Sequence, residues 1–314
     1  MQNFRFSCNI FAIRSADSFA DYCRAAQEFG YDAIFSSDHL ESPAPFSPLI
    51  AAAAAAPRLR VGTLVLNAGL WNPHVLAREI ATADVLTGGR LEIGVGVGHL
   101  RWEFDEAGLP WRPLAERADQ LEATLDELEK IFTAGGYPQG KPIRDFFGFP
   151  ALAPLQRRGL GNSGPPLIIG GAGDRMLALA ARRADTVSLS GLFPLAGQPG
   201  ALRMGTAAET DERIRFVREH AGARADDLEI HQLVHAVVVT DDRVGAARSM
   251  VEQQMPYFTV DELLESPFAL IGTLDEIAGQ LRESRDRYGF SFITVLEPNM
   301  MAFGPVIERF RAGS

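Results

Sequence analysis

What most constrains this chain is a rhythm. Short apolar runs of strand length alternate with longer amphipathic runs, about eight times from end to end. The short runs fall at 4–11, 31–39, 60–67, 91–98, 166–170, 186–190, 230–240 and 292–296. Between them apolar residues recur every three or four positions, as with Phe19, Tyr22, Cys23 and Ala26, the mark of a helix with one buried face. Boundary signals agree with this. Ser15 opens the first helix, and Gly30 follows it where a left-handed cap belongs. Thr206 with Glu209, and Thr273 with Glu276, have the spacing of reciprocal caps. Pro57 closes the alanine-rich run 51–56, Gly88 and Gly89 follow a helix at 74–86, and further helices are expected at 175–184 and 305–311.

Eight strand–helix units predict an α/β fold, a (β/α)8 TIM barrel. A doubly wound open sheet is the alternative, because periodicity does not show closure. The 314 residues suit one barrel domain over 1–314 with insertions. Three stretches rich in Gly, Pro or aromatic residues stand outside the rhythm, 100–165, 191–206 and 255–272. They place the insertions after strands 4, 6 and 7, and long segments of this kind serve as lids or binding loops.

Composition then excludes several classes of function. A formal charge of −10 argues against nucleic-acid binding through phosphate contacts. Two cysteines, Cys8 and Cys23, make no disulfide framework and suit a reducing cytoplasm. The residues from Met1 to Arg5 do not begin a signal peptide, and no apolar run is long enough to span a membrane. The partner expected is a small molecule.

In a barrel the reactive groups gather where strands end. Here those ends carry Asp38 and His39, Asn67, Gly98 and His99, the Gly170-Gly171-Ala172-Gly173 turn, Ser188 and Ser190, and Glu297. Any one of these could be a plain turn or cap residue, but two histidines at adjacent strand ends are harder to dismiss. Glycines 94, 96 and 98 alternate along strand 4 and either admit a flat ligand or relieve a crowded interior. The 170–173 turn opens a helix, so its N–H groups suit a phosphate or carboxylate, with Arg175 as a further charge. Neither glycine cluster completes a dinucleotide fingerprint. No metal site is expected. His231 and His235 stand four apart on a strand, roughly 13 Å, too far to share an ion.

Four segments carry a family resemblance. They are Gly30-Tyr-Asp-Ala-Ile-Phe-Ser-Ser-Asp-His39, the run 59–67 ending in Leu64, Val65, Leu66 and Asn67, the run 74–98, and Pro165 through Gly173 to Asp185. Over about residues 4–310 the sequence resembles the bacterial luciferase-like superfamily, and within it the oxidoreductases that use the deazaflavin cofactor F420. The resemblance implies a ring lying across the strand ends, backed by a non-proline cis peptide at Leu64–Val65. It implies that Asp38 contacts the ring, that His39 or His99 handles a proton, and that Gly98 and His99 touch the cofactor. Residues 170–173 would hold its phosphate end. In some sugar-phosphate members an acidic residue occupies the His99 position. The expected reaction is hydride transfer between the deazaflavin C5 and a small organic substrate, with reduction of an activated C=C or C=N bond favoured. Trp71, Trp102, Trp111, Phe146, Phe147 and Phe149 could wall the substrate pocket, or simply pack. Rival readings are an FMN-dependent monooxygenase, a cofactor-binding homologue without turnover, and a metal-dependent barrel hydrolase. A homodimer is the family habit.

Overall fold

A computed structural model describes residues 4–137, 142–195, 197–198 and 201–312. Eight strands close into a parallel barrel: β1 (Arg5–Ile10), β2 (Ala33–Ser36), β3 (Arg60–Thr63), β4 (Leu91–Gly96), β5 (Leu167–Gly171), β6 (Thr186–Leu189), β7 (Glu229–Val234) and β8 (Phe290–Leu296). Each pairs with the next, and β1 pairs with β8 in the register Cys8 to Val295. The open-sheet alternative is therefore excluded.

Strand alternation divides each strand between two cores. On β1, Phe6, Cys8 and Ile10 join the cluster beneath the helices, where Phe6 meets Phe303 and Phe310 edge-on. Arg5, Ser7 and Asn9 point into the barrel instead. Arg5 and Arg60 share the carboxylate of Glu92, and Arg5 also binds Glu229 at 2.8 Å. One layer up, His231 is fully buried between Ser188 Oγ (2.8 Å) and Thr294 Oγ1 (2.6 Å), and Thr294 in turn meets Ser7 Oγ. An apolar plug of Ala33, Phe35, Leu64, Ile168 and Phe292 fills the remaining interior.

The capping signals do what their chemistry allows. Ser15 accepts from Ser18 N–H, and Gly30 takes φ +87° at the other end of helix Ala16–Phe29. The Thr206/Glu209 and Thr273/Glu276 boxes form, and a third forms at Thr259/Glu262.

Several strands depart from their sequence-based limits, the second being trimmed to Ala33–Ser36. The seventh breaks at His235, whose N–H donates to Phe268 O. Its continuation, Ala236–Val239, leaves the barrel and pairs with Ala269–Gly272. The third is interrupted by a cis peptide between Leu64 and Val65 before resuming at Leu66–Asn67 against β4. The fourth stops at Gly96. The stretch 100–165 is largely helical over its described residues, with helices Arg101–Glu106, Leu114–Thr133 and Pro142–Phe147. The second of these belongs to the outer ring, burying Ala118, Leu121, Leu125, Leu128 and Phe132. After β6 the described part holds an antiparallel pair, Leu192–Pro194 with Leu202–Met204.

Candidate active site

The carboxyl ends of β2, β3 and β4 bring Asp38, His39, Asn67, Gly98 and His99 together. Asp38 Oδ2 accepts from the Asn67 N–H at 3.0 Å and from Trp71 Nε1 at 2.8 Å. Burial holds the Asp38 carboxyl above the ordinary aspartate pKa. The two hydrogen bonds pull against that rise, Glu103 adds to it, and His39 opposes it.

His39 Nδ1 lies 2.8 Å from Glu103 Oε1, and the same oxygen accepts the Leu40 N–H at 3.2 Å. Glu103, only 1% exposed, comes from helix Arg101–Glu106 and has no lysine or arginine partner among the described residues. A carboxylate only accepts hydrogen bonds, so it fixes the His39 proton on Nδ1 and leaves Nε2 as the free nitrogen. The His39 and His99 rings meet edge-on, with centroids 5.4 Å apart and planes at 86°. His99 stands at the exposed rim. Desolvation holds its imidazole below the ordinary histidine pKa, His39 and Arg117 push the same way, and Glu103 opposes them.

The turn that delivers His99 is pinned from beneath. Gly98 adopts φ +70°, and a side chain there would strike the Asn67 amide. Arg117 is buried and donates to the carbonyls of Val97 (3.1 Å), Gly98 and Arg112 (3.1 Å). Its guanidinium also stacks 3.8 Å from the centre of the Trp111 ring.

The β4 glycines separate into two uses. A Cβ at Gly94 would lie 2.1 Å from Thr63 O, and one at Gly96 would lie 2.8 Å from Val65 Cγ2. Both therefore relieve crowding against β3, while Gly98, past the strand end, serves the turn. Val65 sits half-buried, its methyl groups against Gly96 and Gly170. Residues Gly170 to Gly173 remain accessible, and a Cβ at Gly173 would meet nothing within 4 Å. Gly173 precedes helix Asp174–Arg183, whose first turn has no side-chain cap. Arg175 is engaged by Asp119, and Asp174 by Arg213. Any anion met at this turn would therefore face backbone N–H groups and no unpaired side-chain charge from Asp174 or Arg175.

The sequence model of the luciferase-like monooxygenase family matches residues 4–291. The chain belongs to that family. This luciferase-like chain is 30% identical over 224 residues to an F420-dependent glucose-6-phosphate dehydrogenase of Nakamurella multipartita, covering 67% of the chain and 60% of that relative. It is 25% identical over 289 residues to the 4-hydroxyprotoasukamycin monooxygenase of Streptomyces nodosus subsp. asukaensis, covering 83% and 75%. Its fold superposes on an F420-dependent secondary alcohol dehydrogenase with a TM-score of 0.72 at 15% identity, over 99% of this chain and 100% of that one.

Sequence reading missed Glu103 and Arg117. Both lie in the stretch 100–165, and their contacts reach back 64 and about 20 residues, which no local pattern reports. The luciferase-like chain also divides the candidate aromatic wall. Trp71 touches Asp38, and Trp111 packs on Phe104 and Arg117. Phe146, Phe147 and Phe149 are exposed and make their ring contacts with one another. Ser188 is committed to His231, and Glu297 Oε2 accepts from the N–H groups of Phe11 and Ala12.

Proposed function

We propose that the protein is an F420-dependent oxidoreductase acting on a small organic substrate, most readily by reducing an activated C=C or C=N bond. The observation that carries this reading is the Glu103–His39–His99 array beside Asp38, at the mouth of a barrel of this family. The residues present fit such a cofactor. Asn67 Nδ2 is buried without a hydrogen-bond partner, a donor awaiting an acceptor. Val65 offers an apolar flank flanked by glycines, and the uncapped turn at Gly173 offers N–H groups to a phosphate. Asp38, Leu64, Val65, Asn67, Gly98 and His99 would hold the ring, and Gly170, Gly171, Ala172 and Gly173 the phosphate end. When bound, the deazaflavin supplies or accepts hydride at C5.

The chain's own work is to orient, to exclude water and to move a proton. With Nδ1–H held by Glu103, the neutral His39 ring takes a proton at Nε2, and the doubly protonated ring gives it from Nε2 to the substrate in the direction of reduction. Glu103 keeps the ring in one orientation. His99, edge-on to the His39 ring, is the second candidate for that proton transfer. General acid–base help of this kind contributes about 10²–10⁴-fold in rate.

The competing reading is an FMN-dependent monooxygenase, favoured by the asukamycin-type relative that aligns with 83% of the chain. Fluorescence quenching titrations with F420 and with FMN separate the two. Tight F420 binding is expected; tight FMN binding with none for F420 would sink the proposal.

A further inference from the structure

We infer that this mouth selects an uncharged, largely apolar substrate and turns away phosphorylated ones. The inference rests on the oxidoreductase reading for the chemistry that follows binding, but its own grounds are charge and exposure.

Two carboxylates, Asp38 and Glu103, face the histidines, and neither has a lysine or arginine ion partner among the described residues. Arg117, whose charge reaches His99, is buried and spent on three carbonyls. Four further cations near the rim are in ion pairs, Arg14 being the exception. Arg101 pairs with Asp105, Arg112 with Glu116, Arg175 with Asp119 and Arg203 with Glu209. Arg14, on the exposed loop after β1, has no ion pair among the described residues, and a single solvated guanidinium is short of the several donors a phosphate needs. Lysine occurs only at 130 and 141, of which Lys130 is in helix Leu114–Thr133 and pairs with Glu127, and Lys141 lies outside the described residues. A phosphate monoester leaving water needs several charge-assisted donors to repay its desolvation, and two fixed carboxylates raise that requirement.

The apolar side of the balance is present. Leu40, whose N–H is held by Glu103, exposes 48% of its surface, and Trp102, next to Glu103 in sequence, exposes 40%. Ile13 on the loop after β1 is 40% exposed, and Trp71 lies against Asp38. An apolar ligand that covers such groups gains roughly 25 cal/mol per Å² removed from water, with no charge to compensate.

Isothermal titration of the full chain, with and without F420, tests this using carvone as a neutral enone and glucose 6-phosphate as the anionic probe. Saturable carvone binding is expected, unchanged between about 0.05 and 0.5 M salt, with no saturable heat from glucose 6-phosphate. Leu40→Lys should weaken carvone about tenfold, and Trp102→Ala should weaken it too. Glucose 6-phosphate binding as tightly as carvone, a salt-dependent carvone affinity, or no binding of either probe overturns the inference. Carvone binding without any F420 binding would instead overturn the F420 reading and leave this one standing.

Discussion

Glu103 shows how much a single residue can organise. One carboxylate oxygen holds both the Leu40 backbone and the His39 ring, so loop position and tautomer are set together. Glu103→Gln keeps the shape but lets the amide donate as well as accept, and His39 loses its fixed proton. In steady-state assays with F420 and a competent substrate, kcat should fall by about tenfold or more with KM little changed. The same substitution removes a charge that lifts the His99 pKa. Any acid limb of kcat/KM that belongs to His99 should therefore move to lower pH, a change that a merely structural role would not produce. An unshifted profile with unchanged kcat would remove Glu103 from the mechanism. The sequence made Asp38, His39, Asn67 and His99 visible because a barrel gathers strand ends, wherever they lie in the chain. It left Glu103 and Arg117 hidden, because a helical side chain declares its own helix and not the strand end it will meet.

Among the elements, β4 and the helix Leu114–Thr133 were legible to different degrees. The strand stood out as a glycine alternation whose purpose was open. Backbone packing decides it: Gly94 admits Thr63 O, and Thr63 Oγ1 donates to the Gly94 carbonyl at 2.9 Å, so β3 and β4 lock side by side. Gly94→Ala would drive a methyl into that carbonyl. Overpacking of this kind costs about 1–3 kcal/mol, more where backbone must move, and urea unfolding of the ligand-free chain should show the loss. A variant as stable as the parent would return Gly94 to the ligand. The helix Leu114–Thr133 carried an equally plain signal in Ala118, Leu121, Leu125, Leu128 and Phe132, spaced three and four apart. It was masked by the irregular composition of the longer stretch around it. The break at His235 was not legible at all, since a strand-length run such as 230–240 reads the same whether it stays in one sheet or crosses to another.

At the scale of the whole molecule, the barrel encloses a polar axis that an acidic chain must hold together as pH falls. His231 is its most sensitive member. Burial, with a smaller push from Arg5, takes its pKa down to about 3, and the neutral ring bridges Ser188 to Thr294. Unfolding frees the imidazole to titrate near 6.5. The unfolded chain therefore binds one more proton between pH 6.5 and about 3, and stability is lost as pH falls through that window. Glu229, Asp185 and Asp38 work in the opposite sense. Burial raises each of them, so folded protein takes up their protons first and gains stability as pH falls through their raised values. Only a difference between two proteins isolates the histidine. His231→Gln cannot titrate and loses part of the bridge, so it should be less stable than the parent at pH 7.5. That deficit should narrow below pH 6.5, at a slope approaching about 1.4 kcal/mol per pH unit. Urea unfolding midpoints from pH 7.5 to 4.5 give the comparison, and a deficit that stays constant across the range would mean that His231 is not held neutral by the fold.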